Sequence, residues 1–137
     1  MKVLVMGGTG AMGKYLVPEL LKMGYEVDAM TLDDTVSTQK GLTYIKKNAM
    51  DIDVMKEILK NNYDAIVDFM IYETSKFAER FELFLQNTKH YISLSSYRVY
   101  ADEEHPIKET SPRLLDVTRD KEYLQTEEYG LYKARCE

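Results

Sequence analysis

Short apolar runs rich in β-branched residues alternate with longer amphipathic stretches along this chain. A short apolar run bounded by turn-forming residues is typical of a strand that a parallel sheet buries on both faces. We therefore predict five strands, at Lys2–Met6, Glu26–Leu32, Thr43–Lys47, Ala65–Met70 and Tyr91–Ser95.

Apolar residues recur at helical spacing between these runs. The first predicted helix covers Ala11–Met23 and is capped at its C-terminus by Gly24. The second is capped at its N-terminus by Asp53 and runs to about Asn61. The third covers Glu73–Asn87, and the last begins at Glu127. Their inward positions are predicted to be Met12, Leu16 and Leu20 in the first helix, Val54, Ile58 and Leu59 in the second, and Phe77, Phe81, Phe84 and Leu85 in the third.

Alternation of strands and helices at this spacing predicts an α/β fold, a doubly wound parallel sheet of the Rossmann type with strand order 3-2-1-4-5. We expect residues 1–137 to form a single nucleotide-binding domain. Ligands of such sheets bind at the carboxyl ends of the strands. The loops after Met6, Leu32, Met70 and Ser95 are therefore the places to look for chemistry.

Composition narrows the classes of protein. The chain has 45% hydrophobic and 30% charged residues and a net charge of −5, which argues against a broad electrostatic surface for nucleic acid or anionic membranes. Its one cysteine excludes an intrachain disulfide, and no apolar run approaches the ~18–20 residues that cross a bilayer. A cytoplasmic protein acting on a small molecule is the expectation that remains.

Four of the seven glycines lie in one loop between the first strand and the first helix. Glycines at 7 or 8, 10 and 13 allow a tight turn, close approach of the backbone to a pyrophosphate, and close packing of the helix. The amides that open the helix then face the phosphates. The loop predicts dinucleotide binding by Gly7, Thr9, Gly10, Ala11, Met12 and Gly13.

The end of the second strand decides between NAD and NADP, because an acid there binds ribose hydroxyls and a base accepts a 2′-phosphate. Leu32 ends the predicted strand, and Asp33 and Asp34 follow it without any basic residue. The cofactor is predicted to be NAD or NADP, with NAD favoured. Capping of the loop is the competing role for the two acids.

The chain resembles the N-terminal part of an extended short-chain dehydrogenase/reductase of the NAD-dependent epimerase/dehydratase family. The matching stretches, which span residues 3–137, are VLVMGGTGAMGKYLV, AMDIDVMKEIL, YDAIVDFM, YISLSSYRVYAD and EYGLYKARCE. The resemblance implies that Asp51 and Ile52 line the adenine and that Phe69 and Met70 lie near the adenosine ribose. It also implies a catalytic set of Ser96, Tyr129 and Lys133, with Ser95 as the alternative serine. Tyr129 and Lys133 are implied to contact the cofactor as well, with Lys133 beside the nicotinamide ribose.

The implied chemistry suits the spacing of this pair. Tyr129 and Lys133 are four residues apart and so share a helix face. A phenol has a reference pKa of ~10, and a nearby ammonium favours the phenolate that a general base requires. Tyr72 and Lys76 have the same spacing, but only the first pair follows the fifth strand and its serines. The alternative for Tyr129 and Lys133 is that they lie on a surface helix without a catalytic role.

The resemblance implies an enzyme, either an epimerase/dehydratase or a reductase, that acts on a hydroxyl or carbonyl group, with a nucleotide sugar as the default substrate. Related proteins continue into a substrate-binding region, so we expect a truncated and poorly active form. We expect a homodimer through the last helix, or exposure of that surface instead. The alternatives are a non-catalytic dinucleotide-binding regulator and an RNA-binding relative.

Overall fold

The computed structural model describes all residues, Met1–Glu137. Its strands are β1 Lys2–Met6, β2 Glu26–Thr31, β3 Leu42–Lys46, β4 Tyr63–Asp68 and β5 Thr88–Ser93. Its helices are α1 Gly13–Lys22, α2 Ile52–Leu59, α3 Thr74–Ala78, α4 Phe81–Gln86, α5 Leu114–Val117 and α6 Tyr129–Arg135. None of these helices has the length and apolar character needed to span a membrane.

The chain divides into two compact units. The first, which we call the sheet unit, consists of Met1–Met70 and Arg80–Leu94. The second, which we call the C-terminal unit, consists of Ile71–Glu79 and Ser95–Glu137.

All five strands belong to the sheet unit and form one parallel sheet in the order β3-β2-β1-β4-β5. This confirms the predicted doubly wound fold. Met6 is level with Met30 of β2 and with Asp68 of β4. The segments that follow β1, β2 and β4 therefore leave the sheet at the same edge, where ligands of such sheets bind.

Alternate residues of the central strands point to opposite faces of the sheet and build two apolar clusters. On one face, Leu4 and Met6 of β1 pack with Met55 of α2 and Phe84 of α4. On the other face, β1 contributes Val3 and Val5, which pack in a cluster with Val17, Val27, Ala29, Ala65 and Val67. Burial on both faces explains why β1 is apolar throughout except at Lys2.

The first helix begins at Gly13, two residues later than predicted. Met12, expected to face the core, is 48% exposed, and Val17 is the buried residue in its place. The predicted cap at Gly24 is confirmed. Gly24 has a φ of +80°, and the amides of Gly24 and Tyr25 donate to the carbonyls of Leu21 and Leu20.

The second helix is capped by Asp51, and the expectation that Asp53 caps it was wrong. The Asp51 carboxylate accepts hydrogen bonds from the amides of Asp53 at 2.9 Å and Val54 at 3.3 Å. Met55, Ile58 and Leu59 are buried, so the predicted inward face is confirmed except that Met55 replaces the half-buried Val54 at its centre.

The predicted helix at Glu73–Asn87 is two helices, α3 and α4, separated by Glu79 and Arg80. Only Phe84 of the four predicted inward residues is buried, and Leu85 is 57% exposed. The break occurs where the Arg80 side chain is buried and donates to the Met50 carbonyl oxygen. An arginine held inside the sheet unit therefore interrupts the expected apolar face.

Within the C-terminal unit, the segment after Ser96 makes a 3-10 turn over Tyr97–Val99. The amide of Ala101 then donates to the Pro112 carbonyl at 2.8 Å, next to an antiparallel bridge between Tyr100 and Arg113. Helix α6 starts at Tyr129, two residues after the predicted start, and packs against the 3-10 turn and α5.

Candidate functional site

The glycine loop after β1 turns through conformations that favour glycine. Gly7 has a φ of +81°, in the left-handed region. The amide of Gly8 donates to the Met30 carbonyl at 2.9 Å, and the amide of Gly10 donates to the Gly7 carbonyl at 3.0 Å. The loop is therefore anchored to the end of β2 and closed on itself before α1 begins.

Two further glycines hold the loop against its surroundings. A β-carbon on Gly8 would stand 2.6 Å from Cβ of Ala29, and one on Gly13 would stand 2.4 Å from the Gly7 carbonyl oxygen. A β-carbon on Gly10 would meet only the Gly7 oxygen, at 3.1 Å. The amides of Lys14, Tyr15 and Leu16 in the first turn of α1 donate to the carbonyls of Gly10 and Met12, so the loop leads directly into the helix. The loop thus presents backbone without side chains at the N-terminus of α1, an arrangement that suits a diphosphate.

A groove of about 250 Å³ lies beside this loop, at the carboxyl edge of the sheet. Of the residues predicted to contact a cofactor, it is lined by Gly7, Thr9, Gly10, Leu32 and Met70. The remaining lining residues are Met30, Thr31, Asp33, Lys47, Asn48 and Ala49.

Other predicted cofactor residues lie nearby without lining the groove. Ala11 and Met12 are exposed just before α1, and Gly13 is its buried first residue. Phe69 packs beneath the loop, its Cβ 3.5 Å from the place a β-carbon on Gly7 would occupy. Phe69 is therefore a support for the loop rather than part of the groove wall.

Asp51 and Ile52, which the resemblance places at the adenine, do not line this groove themselves but follow closely on Ala49, which does. The Asp51 carboxylate is used to cap α2, whose first residue is Ile52. The groove is lined instead by Lys47, Asn48 and Ala49, which follow β3 directly.

Asp33 is a groove residue to which the sequence assigned no definite role. The Thr9 hydroxyl donates to Asp33 Oδ2 at 2.7 Å and lies 2.7 Å from the Thr31 hydroxyl. The amide of Asp33 donates to Thr31 Oγ1 at 2.9 Å. The only signal in the sequence was the position of this acid just beyond β2, because Thr9 is 22 residues from Thr31 and 24 residues from Asp33.

The C-terminal unit carries the residues of the predicted catalytic set. Tyr129 is the half-buried first residue of α6, and Lys133, one turn later, is 9% exposed. The ring of Tyr129 lies 5.4 Å from that of Tyr132 in an edge-on arrangement and 5.6 Å from the Arg98 guanidinium. The predicted pair therefore shares a helix in which the lysine is held in the interior of this unit.

The two candidate serines differ in their partners. Ser96 Oγ accepts a hydrogen bond from the Arg98 amide at 3.2 Å and caps the 3-10 turn. The Ser95 hydroxyl donates to the Glu137 carboxylate. A hydroxyl that accepts one hydrogen bond can still donate its own proton, and Ser96 stays the predicted serine.

Glu128 organises the start of α6. Its carboxylate accepts hydrogen bonds from the Gly130 amide at 2.7 Å, the Tyr123 hydroxyl at 3.0 Å and the Arg98 guanidinium at 2.6 Å. Burial tends to raise the pKa of Glu128, but these hydrogen bonds outweigh it and hold the pKa below its usual range. A charged carboxylate therefore positions the residue that follows it, Tyr129.

The second Tyr-x-x-x-Lys pair has a different setting. Tyr72 is buried in the C-terminal unit with its ring 6.2 Å from that of Phe77. Lys76 lies in α3 and forms an ion pair with Glu79 at 3.5 Å. Tyr72 precedes α3, so this pair does not share a helix as Tyr129 and Lys133 do.

A model of the NAD dependent epimerase/dehydratase family matches residues 3–134 of the chain. Among curated protein sequences, none matches it.

Solved structures show the same fold at low sequence identity. The UDP-Glc/GlcNAc 4-epimerase of Campylobacter jejuni is 21% identical with a TM-score of 0.70, over 82% of this chain and 42% of that one. The dTDP-glucose 4,6-dehydratase of Bacillus anthracis, solved with NAD, is 16% identical with a TM-score of 0.73, over 99% and 48%. WbmG of Bordetella bronchiseptica, solved with NAD and UDP, is 17% identical with a TM-score of 0.66, over 98% and 47%. The chain thus spans less than half the length of each of these three.

Proposed function

This chain belongs to the NAD-dependent epimerase/dehydratase family, and from that premise we propose that it binds a nicotinamide dinucleotide at the glycine loop and acts with it on a nucleotide sugar. The observation that carries the proposal is the glycine cradle at the carboxyl edge of the sheet. Gly8 and Gly13 leave no room for a β-carbon, while the groove beside Gly7 and Gly10 is open. Backbone that approaches a ligand this closely suits a pyrophosphate.

The residues present fit the dinucleotide along the groove. Gly7, Gly10 and the start of α1 would hold the diphosphate, with its charge favoured by the helix dipole. Leu32, Asn48 and Ala49 provide the mixed apolar and polar wall that a nucleoside requires. When bound, the dinucleotide supplies a hydride acceptor and donor, chemistry that no side chain of the protein can provide.

The proposed roles of the chain's own side chains follow from their chemistry. Ser96 donates a hydrogen bond to the substrate oxygen and orients it. Its Oγ accepts from the Arg98 amide, and its own proton is the group that it can donate. Tyr129 takes the proton of the substrate hydroxyl as a general base and returns it as a general acid. Lys133, one helical turn away, supplies the positive charge that favours the phenolate form of a tyrosine.

The substrate class rests on the solved structures that share the fold. The epimerase of C. jejuni and the dehydratase of B. anthracis are named for UDP- and dTDP-linked sugars, and WbmG was solved with UDP. A nucleotide sugar is therefore the first substrate to test.

Calorimetric titration of the purified chain with NAD and with NADP tests the proposal. We expect one site per chain for at least one of the two coenzymes, and binding that weakens by ~10-fold or more in the coenzyme-contact variant Gly10→Ala. The absence of binding heat for both coenzymes at millimolar concentration, with a chain shown to be folded by circular dichroism, would overturn the proposal.

A further inference from the structure

The Arg98 side chain connects the two segments that carry the proposed hydrogen-bond donor and the proposed base. Arg98 lies in the 3-10 turn, two residues after Ser96, and its amide donates to Ser96 Oγ at 3.2 Å. Its guanidinium lies over the ring of Tyr129, the first residue of α6, at 5.6 Å from the ring centre. A cation at this distance from the face of an aromatic ring is attracted to it. One residue therefore contacts both Ser96 and Tyr129.

Glu128 fixes the guanidinium in this place. Its Oε1 accepts from Arg98 Nη2 at 2.6 Å, and its Oε2 accepts from the Gly130 amide at 2.7 Å and the Tyr123 hydroxyl at 3.0 Å. The second oxygen thus ties the carboxylate to the backbone of α6. A guanidinium that donates to an anchored carboxylate loses much of the rotamer freedom of its long stem. The position of the arginine over the ring is therefore defined from the start of α6.

A second ring contact of Tyr129 comes from its own helix. Tyr132, three residues later in α6, lies edge-on to it at 5.4 Å. Because both tyrosines move with α6, this contact does not fix the phenol relative to the turn that Ser96 caps. The guanidinium of Arg98 does, since that turn carries it.

The ion pair of Arg98 and Glu128 lies where ion pairs add little to stability. The two side chains are 50% and 30% exposed, and both line a pocket of about 330 Å³ within the C-terminal unit. Exposed ion pairs contribute little to the stability of a fold, because water and salt screen the charges. Folding therefore does not account for the guanidinium, whereas the orientation of Tyr129 does.

We infer that Arg98 is a positioning residue for Tyr129, because its guanidinium, held by Glu128, keeps the phenol ring in one orientation toward the turn that carries Ser96. The inference rests on the proposed function, in which Tyr129 exchanges a proton with the substrate and Ser96 orients the substrate oxygen. A base and a donor that act on one hydroxyl must keep their relative position, since a displacement of about 1 Å can cost ~10²-fold in rate. Arg98 acts through Tyr129 and takes no part in the proton transfer.

Arg113 provides a matched control within the same unit. Its guanidinium lies over the ring of Tyr100 at 4.9 Å and forms an ion pair with the Glu137 carboxylate. It therefore makes the same kinds of contact, but with a tyrosine that has no part in the proposed chemistry. Arg98→Met and Arg113→Met each remove one cation from one ring, and the first alone should affect Tyr129.

The first measurement uses the full chain with isotope-labelled tyrosine rings. The nuclear Overhauser effect between the rings of Tyr129 and Tyr132 reports the orientation of the phenol, and Tyr129→Phe assigns its signals. In Arg98→Met this effect should weaken to about half of its native intensity or less, because the ring gains rotamers. Arg113→Met should leave it at the native intensity. Urea unfolding establishes that both variants are folded.

The second measurement follows the turnover of UDP-glucose with NAD by chromatography of the sugar nucleotides. Arg98→Met should lower kcat by ~10-fold or more and change KM by less than about twofold, since it disturbs the base rather than the binding of substrate. Arg98→Lys keeps a cation beside the ring and should recover kcat to within about threefold of the native value. Arg113→Met should leave both constants near their native values.

The outcomes separate the inference from the proposed function. An unchanged ring-to-ring signal in folded Arg98→Met would overturn the inference, whatever the turnover. A native kcat in Arg98→Met, equal losses in Arg98→Met and Arg113→Met, or an Arg98→Lys variant no better than Arg98→Met would also overturn it. Binding of neither coenzyme by the folded native chain would overturn the proposed function, and the ring signal would still decide whether Arg98 orients Tyr129.

Discussion

Gly130 lies against the backbone carbonyl of Arg98, so closely that a β-carbon on residue 130 would stand 2.8 Å from that oxygen. This contact joins the first turn of α6 to the 3-10 turn that Ser96 caps. Tyr129 and Ser96 are each within two residues of it. The relative position of the proposed base and the proposed hydrogen-bond donor therefore depends on a residue without a side chain.

Gly130→Ala should destabilise the protein although alanine is the better helix former. Helix propensity alone predicts a gain of about 1 kcal/mol, but the new methyl would press on backbone, which cannot move aside as a flexible side chain can. We expect a net loss of about 1–3 kcal/mol in the free energy of unfolding, measured by urea titration. Ser75→Ala on the exposed face of α3 is the control. A more stable Gly130→Ala variant would contradict the contact.

Gly13→Ala and Gly10→Ala should separate folding from coenzyme binding within one loop. A β-carbon on Gly13 would stand 2.4 Å and 2.5 Å from two backbone oxygens, and we expect a loss of about 2 kcal/mol or more in stability. At Gly10 the nearest atom is 3.1 Å away, so the cost to folding should stay below about 1 kcal/mol. Binding of NAD by Gly10→Ala should still weaken by ~10-fold or more, because the methyl enters the groove. Unfolding curves and calorimetry on the same preparations check both expectations.

Tyr129→Phe should keep the coenzyme and lose the chemistry. The variant removes only the hydroxyl that exchanges a proton with the substrate, so the rate should fall by ~10²–10⁴-fold. Incubation with NAD and UDP-glucose, followed by chromatography of the remaining and newly formed sugar nucleotides, measures that rate. Tyr72→Phe is the matched control, since Tyr72 begins the other Tyr-x-x-x-Lys pair. Equal losses in both variants would remove the case for Tyr129.

The order of the sheet was predictable because each central strand is apolar enough to be buried on both faces, as Val3–Met6 shows. The break between α3 and α4 was not. Phe77, Phe81 and Phe84 keep helical spacing through the break, so the sequence favours one helix. What interrupts it is Arg80, whose guanidinium reaches the carbonyl of Met50, thirty positions away. A contact of that range has no local signature.

The site shows the same division between local and distant causes. The glycine loop was predictable because its four glycines fall within seven consecutive residues, directly after an apolar strand. The cap of α2 was assigned to Asp53 because Asp51 and Asp53 are both good N-caps, and the sequence does not show which of them starts the helix. The role of Asp33 stayed open between a ribose contact and a loop cap, because Thr9 meets Asp33 only after β1 and β2 pair.

Acid should weaken the start of α6 through Glu128. The pKa of Glu128 is held below its usual range in the folded protein. The carboxylate therefore stabilises the fold at pH values above its unfolded pKa of about 4.3. That stabilisation is lost as the pH falls through the folded pKa. Glu128→Gln should lower the free energy of unfolding by about 0.5–2 kcal/mol at neutral pH and flatten its decline below about pH 4.3. Glu122→Gln, an exposed change in the same unit, is the control. Equal acid slopes for native protein and Glu128→Gln would contradict this role.

Alkali should weaken the sheet unit through Tyr63. The Tyr63 hydroxyl donates to Asp28 at 2.6 Å, and Lys2 lies 3.2 Å from the same carboxylate oxygen. Burial raises the pKa of Tyr63 well above its usual value, and the hydrogen bond and charge of Asp28 add to the rise. Because the folded pKa exceeds the unfolded one, the stabilisation is complete below about pH 10 and is lost as the pH rises toward the folded pKa.

Tyr63→Phe should therefore be less stable than the native protein by about 1–2 kcal/mol near neutral pH. Above about pH 10, the variant should lose less stability than the native protein loses. The matched control is Tyr15→Phe, because Tyr15 is also in the sheet unit and is 71% exposed. Lysines titrate in the same range, and the control carries the same lysines, so the difference between the two variants isolates the buried phenol. Urea unfolding at about pH 8 and about pH 10.5 measures how much stability each variant loses in alkali. An equal loss for Tyr63→Phe and Tyr15→Phe would show that Tyr63 and Asp28 are not coupled in this way.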